Sequence, residues 1–245
     1  MAVTKEILAL AVEIGDALLR NGAEVYRVED TVMHILEAYE IENYDVYVLS
    51  NGIFASANEE REDACSMIRH IPLGTTHLGR IAALNQLSRE ICSHECSLID
   101  AWDRLEECKN ISFGKPIVHV FFCGLGCGCF SYLFGGTALD GVVGFFIGML
   151  LQVFLFALKR HKNSKFITNI LGSAFVTLLS LIVLSFGAPI LYDKVIIGDI
   201  MPLVPGIALT TSIRDFFNGD YLSGAIHMID AILTAFCIAV GVGTV

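Results

Sequence analysis

The sequence predicts an N-terminal α+β domain followed by an all-α polytopic membrane domain of about five transmembrane helices. Three observations carry this prediction. From Ile117 to Val245 the chain is almost continuously apolar, in runs long enough to cross ~30 Å of hydrocarbon with about 20 helical residues each. Charge is partitioned as well: residues 1–115 hold 10 Lys+Arg against 20 Asp+Glu, and residues 116–245 hold 6 against 6. Before Lys115, finally, the apolar pattern switches between helical and strand periods. The boundary therefore falls at Lys115, giving an α+β domain over 1–115 and a membrane domain over 116–245.

In the first domain, Ile7, Leu10, Ala11, Ile14 and Leu18 recur at helical spacing, and Asn21-Gly22 supplies the stop. Val28, Val32, Ile35, Leu36 and Tyr39 define a second amphipathic helix. Tyr44 to Leu49 and Ile53 to Ala57 are short β-type runs around Ser50-Asn51-Gly52, which predicts a hairpin. Cys65 to Ile71 extends it as a third strand, closed by Pro72. Leu78, Ile81, Leu84, Ser88 and Ile91 mark a third helix. Ser97-Leu-Ile-Asp100 resembles a capping box opening a last helix through Leu105 to Cys108.

Composition narrows the function. An acidic domain is a poor partner for nucleic acid or an anionic membrane surface. The N-terminus shows an amphipathic helix in place of a secretory signal. The eight cysteines are expected as free thiols. Cys92, His94, Cys96 and Cys108 invite a zinc reading, but Cys-x-His-x-Cys within one helical segment sends neighbouring side chains to different faces. His34, His70, His77, Ser50 and Asp63 are the residue types of hydrolytic chemistry, without a nucleophile elbow, a His-Glu-x-x-His pair or a phosphate loop around them. A membrane-anchored hydrolase with a catalytic N-terminal domain is thus the alternative to transport, and no cofactor is implied.

Five crossings fit the second half: 116–134, 139–158, 166–186, 195–213 and 221–243. The strongly basic connector Lys159-Arg160-His161-Lys162-Asn163-Ser164-Lys165 lies in the cytoplasm by the positive-inside rule. Counting crossings from it places residues 1–115 in the cytoplasm and Val245 outside. An odd number of crossings is half of the arrangement used by inverted-repeat transporters. No second copy is visible in the sequence, so the other half is expected from another chain. Gly124/Gly128 and Gly144/Gly148 have the small-xxx-small spacing of closely packed helices; the Gly-x-Gly-x-Gly string lies inside an apolar crossing and not after a strand.

The fourth crossing concentrates the chemistry. Gly198-Asp199-Ile-Met-Pro202-Leu-Val-Pro205-Gly206 places two prolines in one span, which predicts a discontinuous helix whose resumed N-terminus can face a substrate carboxylate. Thr210 and Thr211 follow on the resumed segment. In the last crossing His227 and Asp230 share a helix face and form a candidate proton-coupling pair. Asp140 is expected to cap the second crossing at the outer surface. Asp215 and Asp220 are expected to flank a solvated turn.

Several motifs resemble one family. Met201-Pro-Leu-Val-Pro-Gly206, Asp215-Phe-Phe-Asn-Gly-Asp220-Tyr-Leu-Ser-Gly224 and Ala239-Val-Gly-Val-Gly243 look like the threonine/serine exporter (ThrE) family, and most like its YjjP-type members. Gly15 to Leu19, Asn21 to Glu29, Thr75 to Arg80 and Asn85 to Arg89 resemble the same family's N-terminal domain. The resemblance implies an inner (plasma) membrane exporter of small amino acids, driven by protons. Split members of the family pair with a YjjB-like small membrane subunit and are associated with succinate. The expected partner is accordingly a YjjB-like subunit or a second copy of the chain. The expected route is lined by Asp199, Pro202, Pro205, Gly206, Thr210, Thr211, His227 and Asp230.

Overall fold

Apolar residues in the N-terminal half fall where each element needs them. The computed structural model describes residues 2–58, 64–72, 74–112, 114–160 and 164–245. Helix α1 (Ala2–Arg20) buries Leu8, Ala11, Ile14 and Leu18. It stops at the expected Asn21-Gly22: Gly22 takes φ +81°, and the amides of Gly22 and Ala23 return to the carbonyls of Leu19 and Leu18. A left-handed glycine satisfies those terminal carbonyls at no steric cost. Helix α2 (Val25–Ala38) buries Val25, Val28, Val32, Ile35 and Leu36.

Strands β1 (Asn43–Leu49), β2 (Gly52–Asn58) and β3 (Cys65–His70) form an antiparallel meander with β2 in the middle. Ile53, Ala55 and Ala57 point to the buried face, where the absence of a side chain at Gly15 lets α1 meet Ile53 and Val32. The hairpin forms where Asn51-Gly52 predicts it, yet neither residue takes positive φ. Gly52 is small for another reason: a Cβ there would lie 3.0 Å from the Arg69 carbonyl oxygen on β3. Helix α3 (Leu78–Cys92) buries Leu84, Leu87 and Ile91, and α4 (Leu98–Lys109) buries Ala101 and Leu105. Ser97 caps α4, its hydroxyl accepting from the Asp100 amide at 3.2 Å.

The regular elements among the described residues of the second half are all helical: α5 (Pro116–Leu133), α6 (Ala138–Arg160), α7 (Lys165–Ser185), α8 (Tyr192–Ile200), a 3₁₀ turn over Met201–Leu203, α9 (Gly206–Asn218) and α10 (Tyr221–Gly243). Helices α5, α6, α7 and α10 are each long and apolar enough to cross a membrane. Tyr192–Leu203 and Gly206–Asn218 meet the same test together, bent by 59°, and make a fifth crossing if counted as one span. His161, Lys162 and Asn163 of the basic connector lie outside the described residues, as does Asp63.

By packing, the chain divides into two compact units, Met1–Phe113 with Thr211–His227, and Gly114–Thr210 with Met228–Val245. In the first, the α1–α4 core is joined by the end of α9 and the start of α10. Ser223 accepts a hydrogen bond from the Ser50 amide at 3.1 Å, and Arg214 pairs with Glu24. In the second, α5 and α6 pack through their glycines. A Cβ on Gly128 would lie 2.5 Å from the Gly141 carbonyl oxygen, and one on Gly148 would lie 2.6 Å from the Cys127 side chain. Small residues at such seams let helix backbones approach in lipid, where no hydrophobic force drives them together. Helix α7 contributes Val176 to a small core with Leu151, Leu155, Leu203 and Ile238.

Candidate functional site

The backbone between α8 and α9 breaks where its prolines require. Proline at 205 removes an amide and pushes the preceding residue out of the helical region, and Val204 sits extended at φ −64°, ψ 130°. The tightened turn is held by the Val204 amide on the Met201 carbonyl at 3.1 Å, and α9 restarts with the Leu209 amide on the Pro205 carbonyl at 3.1 Å. Pro202 and Gly206 are exposed and Pro205 is half-buried. Thr210 is exposed, and its hydroxyl donates back to the carbonyls of Gly206 and Ile207, both at 3.0 Å, so it faces its own helix. Thr211 is half-buried and belongs to the first unit.

One turn before the break, Asp199 is completely buried, and neither of its carboxylate oxygens has a hydrogen-bond partner among the described residues. Its surroundings are the α5 and α6 backbones. A Cβ on Gly144 would come within 3.2 Å of Asp199 Oδ1, and Gly198 leaves no room for a side chain against Ser131. The nearby Cys127 thiol donates to the Asp199 backbone carbonyl at 3.8 Å, and Ser131 donates to the Cys127 carbonyl at 3.0 Å. A carboxyl group buried without a partner is expensive to keep ionised.

His227 and Asp230 do not form the expected ionisable pair; each has its own partner. His227 Nδ1 lies 2.9 Å from Asp215 Oδ2, and Lys165 Nζ lies 2.6 Å from Asp230 Oδ2. The cause is the turn between α9 and α10. Gly219 takes φ +88°, and the amides of Gly219 and Asp220 return to the carbonyls of Phe216 and Asp215. That glycine cap folds α10 back so that His227 faces Asp215. The solvated-turn expectation for Asp215 is corrected by the same geometry, since the residue is only 1% exposed. Asp140 does cap α6, but as a buried group: it accepts from the Thr137 amide at 2.6 Å and the Thr137 hydroxyl at 2.8 Å. Its second oxygen accepts from the Leu191 amide at 2.8 Å, which ties the start of α6 to the start of α8.

Two hollows lie in the second unit. The larger, about 840 Å³, runs between α5 and α6 and is lined by apolar residues such as Leu133, Val142 and Phe146. The smaller, about 350 Å³, opens beside the break and is lined by His119, Cys123, Gln152, Met201 and Pro202, with Phe122 and Phe130. Its polar groups make it the better seat for a small solute. No group of three or more His, Cys, Asp or Glu able to hold a metal occurs among the described residues.

Residues 9–245 match the ThrE family model, whose description is "Putative threonine/serine exporter". The chain belongs to the threonine/serine exporter family. It is 23% identical over 245 residues to a "Threonine/serine exporter" of Corynebacterium glutamicum, covering 97% of this chain and 50% of that one. It is 23% identical over 243 residues to a "Probable succinate transporter subunit YjjP" of Klebsiella aerogenes, covering 97% and 92%. A "Probable threonine/serine exporter" of Mycobacterium tuberculosis is 22% identical over 242 residues, covering 98% and 45%. The chain thus spans about half the length of the Corynebacterium relative. No solved structure matches it. This is a family of exporters and not of hydrolases, and with several helices able to span a bilayer the chain is a multi-pass membrane protein.

Sequence reasoning missed His119, Gln152 and the role of Asp215. For the first two the sequence offers a polar side chain in each of two apolar runs, and nothing in it shows that the two line one hollow.

Proposed function

We propose that this chain is one half of a secondary active exporter of small amino acids or carboxylates, of the threonine/serine or succinate type, driven by protons. The observation that carries the reading is the broken fourth crossing with an unpartnered, buried Asp199 beside it. Discontinuous helices are how transporters place polar groups at membrane depth next to a solute. Pro202, Pro205 and Gly206 form the break, and Asp199 handles the proton. Asp230 and His227 are supporting members of the route, because Lys165 and Asp215 already answer their charge or hydrogen-bonding capacity. Thr210 and Thr211 follow the break on α9.

On this reading the domain over 1–115 is cytoplasmic, the protein sits in the plasma membrane with Val245 outside, and a YjjB-like subunit or a second copy supplies the other half. Resemblance to a YjjP-named subunit and to relatives about twice as long supports the need for that half.

The test is flux. In vesicles holding this chain with its partner, Asp199→Asn is expected to reduce proton-driven export of labelled threonine, serine or succinate to background while the complex still assembles. Normal flux through Asp199→Asn would sink the assignment.

A further inference from the structure

Resting on the exporter reading, we infer that the hollow beside the break is the solute chamber, that His119 on α5 and Gln152 on α6 are its recognising side chains, and that it accepts a small zwitterionic solute and rejects a dianion. Three features of the chamber carry this.

The first is position. Met201 and Pro202 form part of its wall, so the one place where the fourth crossing departs from regular helix is also where a void opens. A void of about 350 Å³ stands at the small end of the ~300–1,000 Å³ range of ligand pockets.

The second is convergence. His119 and Gln152 come from different helices and line the same void. An imidazole offers one donor and one acceptor when neutral, and a carboxamide offers two of each. Together they can answer both a carboxylate and an ammonium or hydroxyl group. Phe122 and Phe130 supply apolar wall for a short side chain.

The third is charge. None of the described residues lining the chamber is Lys, Arg, Asp or Glu. Two carboxylates brought into such a site would need cationic partners, and a dianion left unpaired in low dielectric is heavily penalised. Lys165 and Lys194 of the same unit are paired with Asp230 and Asp193. A zwitterion carries its own counter-charge and needs only hydrogen bonds.

Cys123 lines the chamber and reports on its occupancy. The full chain in vesicles with its partner is alkylated with N-ethylmaleimide, and each cysteine is followed by mass spectrometry in the presence of L-threonine, L-serine or succinate. Threonine or serine at ten times its dissociation constant is expected to slow alkylation of Cys123 about tenfold, with Cys129 and Cys237 unaffected. Succinate is expected to give no protection, and Gln152→Leu and His119→Phe to remove the protection by amino acid. Buried Cys127 serves as the folding gauge, because it stays unreactive in any variant that keeps the α5–α6 seam. Flux of the same labelled solutes is measured on the same vesicles. Protection by succinate equal to that by amino acid overturns the selectivity. Flux of threonine or serine without protection of Cys123 overturns the chamber and leaves the exporter reading standing. Absence of flux for all three solutes overturns the exporter reading itself.

Discussion

Replacing Asp140 by Ala tests the tie between α6 and the broken crossing. The carboxylate accepts three hydrogen bonds, from the Thr137 amide at 2.6 Å, the Thr137 hydroxyl at 2.8 Å and the Leu191 amide at 2.8 Å. Loss of the box at the helix start costs about 1 kcal/mol, as for other helix caps. The Leu191 amide, left without an acceptor in a part-buried setting, adds about 1–3 kcal/mol. The sum is about 3 kcal/mol, and for a chain of this size that lowers the unfolding midpoint by about 6–12 °C. Thermal unfolding of the purified chain in detergent, followed by near-ultraviolet circular dichroism, measures it. Asp140→Asn keeps one acceptor oxygen, which can serve Thr137 or Leu191 but not both, and should lose about half as much. A loss under about 2 °C for Asp140→Ala, or an Asn variant worse than the Ala variant, would refute the reasoning.

Gly148→Ala places a methyl group 2.6 Å from the Cys127 side chain and should cost about 1–3 kcal/mol by overpacking the α5–α6 seam; Cys127→Ala in the same chain should recover part of it, as read by the same melting assay. Burial holds the Glu29 carboxyl above its ordinary range, with the negative charges of Asp220 and Asp30 adding to the effect against the Val48 amide. A raised folded value means the penalty is absent below the ordinary carboxylate range and grows as pH rises through the folded value, so Glu29→Gln should raise the midpoint at about pH 8 and not at about pH 4. An equal change at both pH values would exclude the titration of Glu29 as the cause. Ser97→Ala removes the cap of α4 and should cost about 1 kcal/mol, with faster amide exchange confined to the first turn of that helix.

What the residues revealed in advance depended on the range of the interaction. Helix ends were legible because the Asn21-Gly22 and Ser97–Asp100 signals act within four residues of the bonds they make. The meander was legible from alternation, although the reason for Gly52 was not, since it lies in a carbonyl on the neighbouring strand β3. Prolines announced the break in the fourth crossing because their effect is local. Partner choice was not legible. Periodicity relates His227 to Asp230 on one helix face, but the partner of His227 is Asp215, across a reversal set by Gly219. Likewise, nothing near Asp140 in the sequence indicates that Leu191 will cover it. The chamber was hidden for the same reason, because His119 and Gln152 become neighbours of one void only when α5 and α6 pack.

The first unit is finished by a stretch of chain that leaves the ribosome long after its core. Residues 211–227 supply the Ser223 acceptor for the Ser50 amide and the Arg214 partner for Glu24. A nascent chain therefore holds its opening domain incomplete until residues 211–227 have been synthesised. Severing the chain at Lys115 yields a fragment with its last wall missing, so removal of that domain disturbs α9 and α10 as well as whatever the domain does itself.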